Sequence, residues 1–245
     1  MPHPSSDQKD AASGLAGITA GRTSICSLEQ TLRYRGYAVS DLVQCSFEEI
    51  AHLLLWGDLP TANQLEAFTE RIQRAAQSIP QTVVCCFQRL AENSPQTSIM
   101  DVPRTGVSLL GQLECDNGPK ESPRSHDLSQ ERMKAEQLLG HVPALLATWI
   151  DCLRGESPSH WPNKPLAPAL LEKLCQTKPS DIAATVFNTT LILYAEHEFN
   201  ASTFVARTVT STGSDMHSGV TAAIGTLKGP LHGGANEKVL HQLMD

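Results

Sequence analysis

Ser46 is followed three residues later by Glu49, and Phe47, Ile50, Ala51, Leu54 and Leu55 then recur at helical steps. A hydroxyl that caps a first turn, answered by a carboxylate three residues on, is a capping box. Thr61 and Gln64 repeat it ahead of Leu65, Phe68, Ile72 and Ile79. Between the two stripes Gly57 stops one helix and Leu59-Pro60 turns the chain. Such punctuation continues to the last residue and leaves little room for a sheet. It predicts further helices over 81–92, 105–112, 130–153 (interrupted or kinked at Pro143), 168–176, 181–194, 201–211, 215–227 and 235–244. Only 23–39, with its aromatic and β-branched residues around Gly36, carries a strand signal, as a short hairpin or extended arm. The fold class is mostly α.

Two helices invite a statement about burial. The one beginning at Asp181 is apolar on several sides (Ile182, Val186, Phe187, Leu191, Ile192, Leu193), which predicts a central position. The one after Ser214 shows a single stripe of Met216, Val220, Ile224 and Leu227, facing a core. The stretches 116–129 and 155–168, rich in Pro, Ser and Gly, are expected as loops. No internal repeat is visible.

A chain of 245 residues makes one large domain or two small ones, at about 150 residues each. Hydrophobic content of 40% with 18% charged excludes a disordered or coiled-coil chain. The net charge of −7 argues against a general nucleic-acid binder. Seven scattered cysteines are an odd set and no disulfide framework. Cys85 and Cys86 lie in an apolar run with Val83, Val84 and Phe87, and are expected in the core. The polar start, 1–13, has no apolar segment of a secretory signal and is expected as a disordered tail. No apolar run approaches the length of a membrane span. The expectation is a cytoplasmic protein that does not engage nucleic acid or membrane.

Several chemistries lack their motifs. Dinucleotide and P-loop glycine patterns are absent, as is a Gly-x-Ser-x-Gly elbow. His197 is followed four residues on by Ala201, so no helical zinc pair forms, and no metal is expected. Two segments remain. In Ala195-Glu196-His197-Glu198-Phe199-Asn200-Ala201-Ser202-Thr203, Asn200 and Ser202 are either helix caps or site groups. His197 there is either a ligand contact or a hydrogen-bonded core residue. In Gly229-Pro230-Leu231-His232-Gly233-Gly234-Ala235-Asn236-Glu237, two glycines after His232 allow a ligand near the backbone. A helix predicted just beyond would turn its free N–H groups on this loop. That favours an anionic ligand and a neutral, hydrogen-bond-donating imidazole, a role suited to enolate chemistry. The plain alternative is a Gly-rich turn with a surface histidine.

Both segments resemble the two histidine motifs of the citrate synthase family. The stretches 32–42 (Leu32-Arg33-Tyr34-Arg35-Gly36-Tyr37 onward), 100–108 (Met100-Asp101-Val102-Pro103-Arg104-Thr105 onward) and 214–225 resemble the family too, in order and spacing. The resemblance runs from about Gly14 to the last residue. It implies a multi-helical large domain over 14–233 and the start of a small domain at 234–245, cut short. It also implies condensation of acetyl-CoA with oxaloacetate to citrate and CoA, a step of the tricarboxylic acid cycle. No cofactor is implied, acetyl-CoA being a co-substrate. By the resemblance His232 would donate to the thioester oxygen and His197 would bind oxaloacetate. Asn200 would shape that pocket, and the backbone of Gly233, Gly234 and Ala235 would lie along the acyl-CoA. Family members are homodimers or multiples of dimers.

The family's third histidine, its proton-removing aspartate and its carboxylate-binding arginines are expected after residue 245. Beyond Arg154 the only arginine is Arg207. The 245-residue chain alone is therefore expected not to be a competent synthase, since a general base is typically worth about 10²–10⁴-fold. Pro103 and the polar stretch near 115–129 depart from the family pattern. The predicted last helix carries Val239, Leu240, Leu243 and Met244 and stops at Asp245 without a cap, which fits a natural end or a cut. Alternatives are a 2-methylcitrate synthase using propionyl-CoA, and a non-catalytic helical remnant that dimerises.

Overall fold

Both capping boxes form. Glu49 Oε2 accepts the Ser46 N–H at 2.7 Å and Ser46 Oγ accepts from Glu49 N at 3.3 Å. Gln64 Oε1 accepts the Thr61 N–H at 2.9 Å. The computed structural model describes residues 19, 21–28, 31–113 and 127–233. The expectations for 1–13, for most of 116–129 and for 234–245, including a last helix over 235–244, lie outside the described residues.

The strand signal becomes a three-stranded antiparallel meander, β1 (Cys26–Leu28), β2 (Leu32–Tyr34) and β3 (Tyr37–Ala38). Tyr34 pairs with Cys26 on one side and Tyr37 on the other. The turn between Tyr34 and Tyr37 has only Arg35 and Gly36, both at positive φ (49° and 91°), the signature of a tight hairpin turn that keeps strand twist.

Ten helices follow among the described residues: α1 (Val39–Leu42), α2 (Phe47–Trp56), α3 (Ala62–Ala76), α4 (Gln81–Asn93), α5 (Asp101–Leu113), α6 (Leu128–Leu153), α7 (Leu166–Cys175), α8 (Asp181–Leu193), α9 (Ala201–Ser211) and α10 (Met216–Leu227). The long α6 is the hub. It packs on α3, α4, α5, α7 and α10. Val83 and Phe87 of α4, Val102, Val107 and Leu110 of α5, and Leu138, Leu145 and Trp149 of α6 make the main core. Phe87 and Trp149 meet edge to face at 6.0 Å. Met216, Val220 and Ile224 of α10 pack against it, as their stripe predicts, while Leu227 stays exposed. A second cluster joins Cys26, Tyr34, Val39, Leu42, Ile50 and Leu53 to Ile192 at the end of α8. It fastens the meander to the segment that carries His197.

Three expectations change. Helix α5 starts at Asp101 and not at 105, because Pro103 falls in the first turn, where a missing N–H costs no helical bond. Helix α8 is not central: of its residues only Ile192 is buried, and Ile182 and Val186 are 78% and 59% exposed. Its apolar residues point in several directions, while α2 and α7 pack against it on one flank. Cys85 is exposed and Cys86 half-buried, since the buried side of α4 is taken by Val83, Val84 and Phe87. No helix among the described residues is long and apolar enough to cross a membrane.

Candidate active site

The segment between α8 and α9 is held from beneath by the meander. The Tyr34 hydroxyl lies 3.1 Å from the carbonyl oxygens of both Ile192 and Glu196. Glu198 turns the chain with φ 58°. Phe199 packs under the Arg207 guanidinium, 4.7 Å from ring centre to Cζ, and a Cβ on Gly21 would come within 2.8 Å of its ring. Burial here pushes the Glu196 carboxyl, the Cys26 thiol and the Tyr34 phenol above their ordinary values.

His197 is an exposed residue and not a core histidine. Its Nε2 lies 2.9 Å from the Leu193 carbonyl, and its ring stacks on Tyr194 at 6.2 Å. A carbonyl only accepts, so Nε2 carries the proton in this contact and Nδ1 is the ring atom left for a ligand.

Asn200 is the N-cap of α9, as the capping alternative has it, and its Oδ1 accepts from Thr203 N at 2.9 Å. It also serves the site. Ser202 Oγ lies 2.8 Å from Asn200 Oδ1 and 3.0 Å from His232 Nε2. The fold thus joins Asn200, Ser202 and His232 across 30 residues of sequence. His197 makes no described contact with that trio and belongs to the same segment by chain connection. Ser202 has one proton and two acceptors. Given to Asn200, it leaves Oγ to accept from a His232 protonated on Nε2. Given to His232 Nε2, it leaves a neutral ring with its proton on Nδ1.

His232 sits in a turn hung from the C-terminal end of α10. Gly229 N donates to Thr226 O (3.1 Å), His232 N to Gly229 O (2.9 Å) and Gly233 N to Leu227 O (3.0 Å). The turn explains Gly233 differently from a ligand approach: a Cβ there would stand 2.1 Å from the Leu227 carbonyl oxygen. Gly234 and Ala235 lie outside the described residues, as does the helix predicted beyond them. Lys228, the C-cap of α10, donates to both carboxylate oxygens of Asp101 at 2.7 Å, and Arg104 Nη2 adds a contact at 2.8 Å. The Lys228 bond, with help from Arg104, holds the Asp101 carboxyl below its usual range. The start of α5 is thereby tied to the His232 turn.

Sequence reasoning named His197, Asn200 and His232, and gave Ser202 as either a cap or a site group, but missed two supports. Tyr34 and the Asp101–Lys228 pair act across 158 and 127 residues, where no local pattern signals a partner. Among the described residues no group of three or more His, Cys, Asp or Glu is arranged to hold a metal ion.

A family model described as "Citrate synthase, C-terminal domain" matches residues 14–245. The chain is 39% identical over 246 residues to a 2-methylcitrate synthase of Shewanella oneidensis, covering 97% of this chain and 62% of that one. It is 40% identical over 238 residues to a citrate synthase of Mycolicibacterium smegmatis, covering 95% and 60%. Among solved structures it superposes on citrate synthase from Pyrobaculum aerophilum with a TM-score of 0.81 at 31% identity, covering 94% of this chain and 58% of that one. It matches the Thermoplasma acidophilum citrate synthase, solved as a ternary complex with carboxymethyl coenzyme A and oxaloacetate, with a TM-score of 0.81 at 29% identity, covering 94% and 59%. The chain therefore spans less than two thirds of the length of these relatives.

Proposed function

The chain belongs to the citrate synthase family, and from that premise we propose that its two histidine segments bind and polarise the substrates of a Claisen-type condensation between an acyl-CoA and oxaloacetate. The reading rests on one observation above others: the His232 ring meets the Ser202 hydroxyl at 3.0 Å, beside the capping Asn200. With the Ser202 proton on Nε2, the neutral imidazole keeps its proton on Nδ1 and can donate it to a thioester oxygen. Such a donor, fixed in place before charge develops, lowers the barrier to the enol or enolate. His197, with Nε2 spent on Leu193, offers Nδ1 to oxaloacetate. Asn200 shapes the wall between them, and the turn that ends at Gly233 borders the acyl-CoA. These residues bind, orient and polarise. Removal of the methyl proton needs a carboxylate base that they do not supply. No organic cofactor or metal enters this scheme, and the chain works as a homodimer or a multiple of dimers.

A second reading, 2-methylcitrate synthase, is supported by the relatives carrying that name at 39–40% identity. Propionyl-CoA and acetyl-CoA differ by one methylene, worth about 1–3 kcal/mol in a pocket. The test is oxaloacetate-dependent release of CoA thiol from each thioester, with calorimetric titration of oxaloacetate and each acyl-CoA alongside. Binding that is lost in His197→Ala for oxaloacetate and in His232→Ala for the thioester supports the assignment. Wild-type binding of both substrates by the double variant overturns it. The ratio of kcat/KM between the thioesters, where turnover occurs, separates the two readings.

A further inference from the structure

We propose that Tyr34 is a positioning residue for His197, an inference that rests on reading His197 as a substrate-binding group. Tyr34 has no exposed surface and lies in the central strand of the meander. Its packing needs only a ring, yet its hydroxyl reaches the C-terminal end of α8. There it stands 3.1 Å from Ile192 O, 3.4 Å from Leu193 O, 3.1 Å from Glu196 O and 3.4 Å from Glu196 N. The last carbonyls of a helix lack partners four residues on, and a buried one is costly to leave unpaired. One phenol thus joins the final turn of α8 to the backbone of Glu196, the residue before His197.

That bridge encloses the contact His197 makes. The imidazole reaches back four residues to Leu193 O, one of the carbonyls beside the Tyr34 hydroxyl. With its one proton given to Ile192 O and its oxygen accepting the Glu196 N–H, the phenol ties the last turn of α8 to Glu196 and so sets the distance between the His197 backbone and the carbonyl its ring must reach. The outcome is a chosen tautomer: Nε2–H toward Leu193, Nδ1 toward the ligand. The strand residue thereby decides which ring atom meets the substrate, without touching it.

The test is Tyr34→Phe, which keeps the ring and deletes the hydroxyl. The protein is labelled with ¹⁵N-histidine, and the His197 signals are assigned by their loss in His197→Gln. Two-bond proton–nitrogen spectra report the tautomer of each ring in the substrate-free protein. In the wild type His197 shows the Nε2–H pattern. In Tyr34→Phe the ratio of Nε2–H to Nδ1–H falls roughly tenfold, the equivalent of one hydrogen bond, while the other histidines keep their patterns. An unchanged His197 pattern in a folded Tyr34→Phe protein overturns the proposal, and a drop in melting temperature alone does not rescue it. Should that variant not fold, 3-fluorotyrosine is incorporated in a Tyr194→Phe background, which leaves Tyr34 and Tyr37 as the labelled tyrosines. The more acidic phenol donates more strongly, and the His197 signals move; unmoved signals refute the proposal equally. Neither readout uses oxaloacetate, so failure of the functional reading shows separately, in the titrations above.

Discussion

Gly140 of α6 faces α3 at the closest approach of the two helices. A Cβ at this position would lie 2.3 Å from the Ile72 carbonyl oxygen, 2.8 Å from Ala75 Cβ and 3.0 Å from Ala76 N. Carbon–oxygen contacts settle near 3.3 Å or beyond, so Gly140→Ala must part the helices by about 1 Å. Two of the three obstructing atoms are backbone and cannot swing aside. Overpacking of this kind costs about 1–3 kcal/mol, and a rigid backbone obstruction places it near the upper end. Ala regains about 1 kcal/mol over Gly in a helix interior. The net loss is about 2 kcal/mol. At about 2–4 °C per kcal/mol for a domain of this size, the melting temperature falls by roughly 4–8 °C. Gly225 of α10 is the matched control. A Cβ there meets only Arg104 Cδ at 3.7 Å, an ordinary contact, so Gly225→Ala gains the propensity alone and melts about 1–4 °C higher. Thermal unfolding followed by circular dichroism reads both. A Gly140→Ala protein that melts at or above the wild type would refute the packing argument, because propensity would then have outweighed contact.

The remaining predictions concern one buried histidine, His141, and the two supports of His232. Burial, with help from His217, lowers the His141 pKa from 6.5 to about 4; the native state then binds fewer protons than the unfolded chain below pH 6.5, and stability is lost as pH falls toward 4. At 1.36 kcal/mol per unit, urea titrations between pH 7 and pH 4.5 should show the wild type losing roughly 2–3 kcal/mol more than His141→Gln, and parallel curves would disprove it. Ser202→Ala leaves His232 Nε2 without its partner; a loss of one hydrogen bond should weaken acyl-CoA binding roughly tenfold in the calorimetric titration with oxaloacetate binding little changed, and unaltered acyl-CoA binding would show that the Ser202 contact does not set the His232 ring. Asp101→Asn loosens the Lys228 ammonium, so limited trypsin cleavage after Lys228, followed by mass spectrometry, should be faster, and high salt should speed the wild type more than the variant; equal rates would show that the pair does not restrain the turn.

What could be read from the sequence was local. Ser46 with Glu49 and Thr61 with Gln64 announce their helices because cap and partner lie within one turn. The start of α5 was misplaced because Pro103 reads as a breaker, although position in the first turn makes it harmless. The exposure of α8 was misjudged for another reason: an apolar face says that a surface seeks cover, and not which element supplies it. The site divides the same way. His197 and His232 stand out through their motifs, whereas the proton choice at Ser202 depends on three atoms brought together only by the fold. Tyr34 gives no sign in the chain, since a phenol on a strand looks like any aromatic until its hydroxyl is placed.

The position of α6 in the chain also has a consequence for synthesis. Helices α3 and α4 leave the ribosome before α6, yet the partners of Phe68, Ile72, Val83 and Phe87 include Leu138, Leu139, Leu145 and Trp149, which emerge later. From Phe87 to Leu145 the ribosome adds 58 residues, a delay of roughly 3–12 s at about 5–20 residues per second. Through that interval the nascent chain displays a bare apolar helical pair. Trigger-type chaperones that shield such surfaces therefore have their task between the synthesis of α4 and that of α6, before the hub arrives.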